Sequence, residues 1–185
     1  DLENLTLAIN QNSAFGTYLQ KRTSLEGCTI VPYPGNVSRF LLEQDFAQQA
    51  YVFSEPFSAK KEGGDPHNLM AAEIGFNPYT SVLIVEASTI ADDPKLVGDF
   101  TQAVQMGWAK YLSEPEETNR FILAQTDQMS EEDLHILTFG VKELQSLCRS
   151  DDSTGNTKLG DMSSERWQKM ADQLVDRRFT ERLGE

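Results

Sequence analysis

The stretch "CTIVPYPGNVSRFLLEQDFAQQAYVFSEPFSAKKEGG", residues 28–64, passes twice from a strand-like to a helix-like pattern. "CTIVPY" (28–33) is an apolar, β-rich run, "PGN" is a turn, and "VSRFLLEQ" is a helix with Val37, Phe40 and Leu41 on one face. "AYVFS" (50–54) reads as the next strand. Pro56 then stands where a first helical turn tolerates proline, ahead of "FSAKKEGG" and its terminating glycines. Upstream the plan is the same: "LTLAIN" (5–10) is a strand, "QNS" supplies N-cap chemistry, and "AFGTYLQKR" is a helix. Downstream, "NLMAAEI" and "YTSVLIVEA" read as two further strands on either side of the turn "GFNP". Repeated strand–helix order predicts an α/β fold with a mostly parallel sheet covered on both faces.

Beyond residue 90 the pattern becomes helical. "DDPKLVGDFTQAVQMGWAKYLSEP" opens with acids and proline and spaces Leu96, Phe100, Ala103, Val104 and Trp108 as a helix does. "EPEETNRFILAQ" begins a second helix at Pro115, and "MSEEDLHILTFGVKELQSLC" a third, capped by Ser130. "RSDDSTGNTKLGD" reads as a linker and "SSERWQKMADQLV" as a last capped helix. The expected organisation is an α/β ligand-binding lobe over 1–90, a helical region over 91–176 and a tail over 177–185.

The chain has 185 residues and a formal charge of −13, spread without an acidic block, which argues against nucleic acid or an anionic membrane surface as partner. The apolar runs are far too short to span a bilayer, and no charged-then-apolar export signal opens the sequence. Cys28 and Cys148 show no C-x-x-C spacing, so neither a metal knuckle nor a redox motif is indicated, while a single disulfide stays open. His67 and His135 lie in no metal-ligand pattern, and His135 reads as a packing residue of its helix. There is no phosphate-binding glycine loop and no G-x-S-x-G elbow. No catalytic residue, metal ligand or cofactor is read from the chain.

In a parallel sheet all the strands end along one edge, and ligands bind in the crevice outside it. Three junctions would share that edge here: "NQNSA" (10–14), "YPGNV" (33–37) and "FSEPF" (53–57). Each starts a helix and so offers unpaired N–H groups and a partial positive charge to a polar or anionic guest. Gln11, Asn12, Ser13, Asn36 and Ser54 add neutral donors and acceptors, and Glu55 adds a carboxylate able to accept from an amine or amide. The same serines and asparagine are also ordinary N-cap residues, and Glu55 an ordinary first-turn acid.

The order of segments, with "VFSEPFSAKKEG", "GFNPYTSVLIVEAS" and "DDPKLVGDFTQAVQMGWAKYLSEPEE", resembles the solute-binding proteins of ABC importers, within the nitrate, sulfonate, taurine and thiamine-pyrimidine-precursor group. The resemblance runs over roughly residues 1–176. It implies a type II periplasmic-binding-protein-like second lobe, with Asn12, Ser13, Glu55 and Pro56 at the cleft and Tyr79–Val85 as a strand crossing back through the hinge. It also implies a small-molecule ligand stacked on Phe53 and Tyr79, an ABC permease as partner, and a periplasmic or lipid-anchored extracellular location. Most of a first lobe is expected to be missing, leaving apolar surface through which copies self-associate and weakening ligand affinity. Two alternatives accompany it. One is an enzyme of thiamine-pyrimidine synthesis, which uses histidine and iron; the other is an effector-sensing regulatory domain, whose basic helix-turn-helix this chain lacks.

Overall fold

The computed structural model describes residues 2–125, 127, 129–148 and 159–174. The parts of the linker over 149–158 and the tail over 177–185 lie outside the described residues. Among them are three short strands and eight helices: β1 (Thr6–Ala8), α1 (Ala14–Arg22), β2 (Thr29–Val31), α2 (Ser38–Leu42), β3 (Phe46–Gln48), α3 (Glu55–Lys61), α4 (Ala87–Asp92), α5 (Pro94–Ser113), α6 (Pro115–Ala124), α7 (Glu131–Leu147) and α8 (Ser164–Leu174). They fall into two units, residues 2–78 with 162–174, and residues 79–161.

The first unit is α/β. Its sheet has the order β2-β1-β3, with both pairings parallel and Thr6 opposite Thr29 on one side and Phe46 on the other. Alternation along β1 divides the side chains between two faces. Leu7 and Ile9 are buried against Leu19 of α1, with Ile30 and Ala47 from the outer strands beside them. On the other face Phe46 is buried beneath the guanidinium of Arg39 in α2, 4.8 Å from the ring centroid. Helices therefore cover both sides, as the strand–helix alternation requires.

The third strand is β3 at 46–48, not "AYVFS" at 50–54. Helix α2 stops at Leu42 and frees Phe46 to pair opposite Thr6. Residues 51–54 then turn, Ser54 N–H donating to Tyr51 O (2.9 Å), because Glu55 and Pro56 already open α3. "NLMAAEI" is not a strand either. Residues 71–75 form a turn closed by Phe76 N–H to Ala71 O (2.9 Å), with Gly75 at φ +91°. That turn seats Phe76 against Tyr18 (centroids 4.8 Å), whose hydroxyl donates to Ile74 O (2.7 Å). Helix α8 belongs with the sheet: Arg166 donates to Asn77 O (2.8 Å), Asn77 Oδ1 (2.7 Å) and Pro78 O (3.1 Å), and Gln173 donates to Gly75 O (2.8 Å).

The second unit is helical. "YTSVLIVEA" makes no strand in it; Val82–Val85 are exposed and the last residue enters α4. A β-rich composition becomes a strand only when another strand accepts its backbone. Asp93 caps α5, its Oδ1 accepting from Leu96 N–H (2.9 Å), and Asp133 Oδ2 accepts from Ser130 N–H (2.6 Å) at the start of α7. α5, α6 and α7 pack on one another around Asn119 and Val141, which are 1% and 2% exposed. None of the described helices is long and apolar enough to cross a membrane.

Candidate functional site

Because β1, β2 and β3 are parallel, the segments that follow them leave from one edge of the sheet. With β1 in the middle the chain goes to one side for β2 and returns to the other for β3, so the order reverses between β1 and β3. Such a reversal splits the flanking helices to opposite faces and opens a crevice at the strand tips. Two bonds span it: Gln49 N–H donates to Ala8 O (2.9 Å), and Asn10 N–H donates to the side-chain Oε1 of Gln49 (2.6 Å).

Glu55 is fixed at this edge from two directions. Its Oε1 accepts from the Tyr33 hydroxyl (2.5 Å) and its Oε2 from Tyr51 N–H (2.8 Å). Tyr33 follows β2 and Tyr51 follows β3, so one carboxylate joins the loops leaving the two outer strands. Burial first, and then the hydrogen bond and negative charge of Glu55, hold the Tyr33 phenol neutral far above its ordinary range. A carboxylate has about four acceptor positions. Two are taken here, leaving capacity for a guest. Beside it Tyr51 and Phe53 stack, with centroids 5.1 Å apart and planes at 22°, and Tyr51 is 58% exposed. Gln48, the last residue of β3, has a buried amide whose nitrogen and oxygen lack any hydrogen-bond partner among the described residues.

The other residues expected at the site are placed as follows. Ser13 caps α1: its Oγ accepts from Gly16 N–H (3.0 Å) and donates to Asn10 O (2.8 Å). Gln11 is exposed and its carbonyl accepts from Thr17 Oγ1 (3.5 Å) and Gln20 Nε2 (3.4 Å). Asn12 is exposed, its N–H bonded to Asn10 Oδ1 (3.2 Å). Asn36 is exposed and its Oδ1 accepts from Ser38 N–H (3.0 Å). Ser54 precedes α3, but its side chain makes no cap bond. Tyr79 opens the second unit and is half-buried. Helices α2 and α3 have five and seven residues, so the anion-attracting dipole expected at three junctions is substantial only at α1.

Sequence reasoning named Glu55 but not Tyr33 or Tyr51, which bond to it, nor Gln48 and Gln49 at the end of β3. Tyr33 stands inside a quoted junction, "YPGNV", yet its partner lies 22 residues onward and only the strand order brings the two together. Two cavities of the first unit lie elsewhere. One of about 240 Å³ is lined by Tyr18, Lys21, Arg22 and Gln173, and one of about 180 Å³ by Asn77, Arg166 and Lys169. Both flank α8. His135 is exposed on α7 instead of packed, Cys28 and Cys148 are free thiols, and no three His, Cys, Asp or Glu side chains converge as metal ligands among the described residues.

A three-stranded parallel sheet with an order reversal, flanked by helices, defines an α/β fold. The family described as NMT1/THI5 like matches residues 7–118, and the chain belongs to it. That family comprises ABC-importer solute-binding proteins for nitrate, sulfonates and taurine, together with synthases of the thiamine-pyrimidine precursor. No curated protein matches the chain.

Proposed function

We propose that the chain acts as the ligand-binding component of an ABC-type importer and holds a small polar organic solute at the carboxyl edge of β1 and β3 without chemical change. The observation that carries this reading is the Glu55 carboxylate, tied to Tyr33 and Tyr51 at the reversal of strand order. A fixed carboxylate accepts, so the guest bears an amine, amidine or amide N–H. The exposed Tyr51 and Phe53 stack favours a planar one, such as an aminopyrimidine. Gln11, Asn12 and Ser13 at the start of α1, with Asn36 and Ser54, are the further contacts proposed, and an ABC permease the partner. A periplasmic or lipid-anchored location goes with that role.

Family membership also supports a second reading, synthesis of a thiamine-pyrimidine precursor. The described residues offer no convergent donor set for the iron such a synthase uses. Thermal-shift titration tests the first reading, because a ligand that binds only the folded state raises its midpoint. An aminopyrimidine should stabilise the wild type and leave Glu55→Gln unmoved, since the neutral amide has a single oxygen, engaged by Tyr51 N–H, and leaves no charged acceptor for the guest. Nitrate stabilising both proteins equally, with no response to the aminopyrimidine, would overturn the assignment.

A further inference from the structure

Gln48 ends β3, in register with Ala8 of β1, and shortly precedes Tyr51, whose N–H holds Glu55. Among the described side chains it alone has a donor and an acceptor that are both shut off from solvent and both unbonded; Asn119, with an unbonded Nδ2, keeps a bond at its oxygen. Gln48 as a whole is half-buried, so its amide is turned inward while other atoms of the residue stay exposed. That orientation forfeits the hydration of both groups and gains no bond in return. Gln49, the next residue, shows the contrast, its Oε1 accepting from Asn10 N–H (2.6 Å) at the same edge. We propose that Gln48 is a specificity-determining residue of this edge, its carboxamide turning to a guest that presents a hydrogen-bond donor and an acceptor side by side. This role rests on the ligand reading given above for the same edge.

A carboxamide carries an N–H and an oxygen side by side in one plane, so it forms two parallel bonds with a partner of the opposite order. The edge of an aminopyrimidine, a ring nitrogen next to an amino group, is such a partner. Its ring nitrogen accepts from Gln48 Nε2, and one amino N–H donates to Gln48 Oε1. The second amino N–H is left for Glu55, whose carboxylate has acceptor capacity beyond the bonds from Tyr33 and Tyr51. The rotatable bonds of the glutamine side chain allow the amide to swing, and the inward orientation has no bond to lose. Nitrate and sulfonate groups only accept. They would leave Gln48 Oε1 unbonded and meet the Glu55 carboxylate as like charges, so the same pair of residues rejects them. A site whose polar groups are left unpaired by the wrong guest discriminates strongly against it.

Thermal unfolding and calorimetric titration of Gln48→Met test this role, because methionine keeps the length and flexibility of the side chain without the amide. Unliganded, Gln48→Met should unfold about 2–4 °C above the wild type, since no unbonded amide is buried in it. The wild type should bind 4-aminopyrimidine about tenfold more tightly than aniline, which stacks and donates from its amino group but has no ring nitrogen to accept. In Gln48→Met that ratio should fall to about one, while Glu55→Gln should lose the response to both compounds. Gln48→Met unfolding below the wild type would mean that the amide already has a structural partner and would overturn the proposal. A ratio unchanged by Gln48→Met would overturn the role of Gln48 and leave the ligand reading standing. A wild type that responds to neither compound would overturn both.

Discussion

Replacing Tyr33 by phenylalanine removes one oxygen and leaves the ring, so it isolates the bond that orients Glu55. A hydrogen bond to a charged group contributes about 1.5–3 kcal/mol. Both partners are part-buried, so water recovers a portion, and the expected loss is ~1–2 kcal/mol. For a chain of this size that corresponds to a fall of about 2–8 °C in the unfolding midpoint. Tyr51 N–H still holds Oε2, so the carboxylate loosens without leaving. The pH dependence provides a sharper signature. The Tyr33 phenol is held neutral in the fold, so its folded pKa is raised above the unfolded value of about 10. Between those two values the unfolded chain binds fewer protons than the folded one, and stability falls as pH rises. The Tyr33 contribution is thus complete below about pH 10 and is lost above it. Urea titrations of both proteins at pH 8 and above pH 10 should show a gap that closes as pH rises. A gap of constant size, or none at pH 8, would refute the argument that this phenol–carboxylate bond shapes the edge.

Ser13→Ala should cost about 1 kcal/mol in urea unfolding, because it leaves Gly16 N–H without its cap; unchanged stability would mean that water replaces the hydroxyl fully. In the second unit Asn119 is 1% exposed, its Oδ1 accepts from Tyr111 O–H (2.8 Å), and its Nδ2 has no partner among the described residues. Asn119→Leu alone should destabilise by ~1–3 kcal/mol, since the Tyr111 hydroxyl loses its acceptor. Combined with Tyr111→Phe it should be neutral or stabilising, a sign change that a double-mutant cycle by chemical denaturation reads directly.

What could be read locally was read well. The start of α1 behind Ser13, the Asp93-Pro94 start of α5, Pro115 in α6 and Ser130 before α7 all depend on side chains bonding, or a ring fitting, within one turn of the backbone. Such energies are settled by neighbours in sequence. Strand choice was a different matter. "FAQ" at 46–48 became β3, while the more apolar "AYVFS" turned and "YTSVLIVEA" stayed unpaired. The Tyr33–Glu55 bond likewise appears only once β1 separates β2 from β3. Sequence alone determined where the capped helices α1, α5, α6 and α7 begin and that strand-like and helix-like segments alternate. Tertiary structure alone decided which apolar runs are strands and which side chains meet at their tips, because a strand's backbone bonds, unlike a helix's, are made to residues far away in the chain.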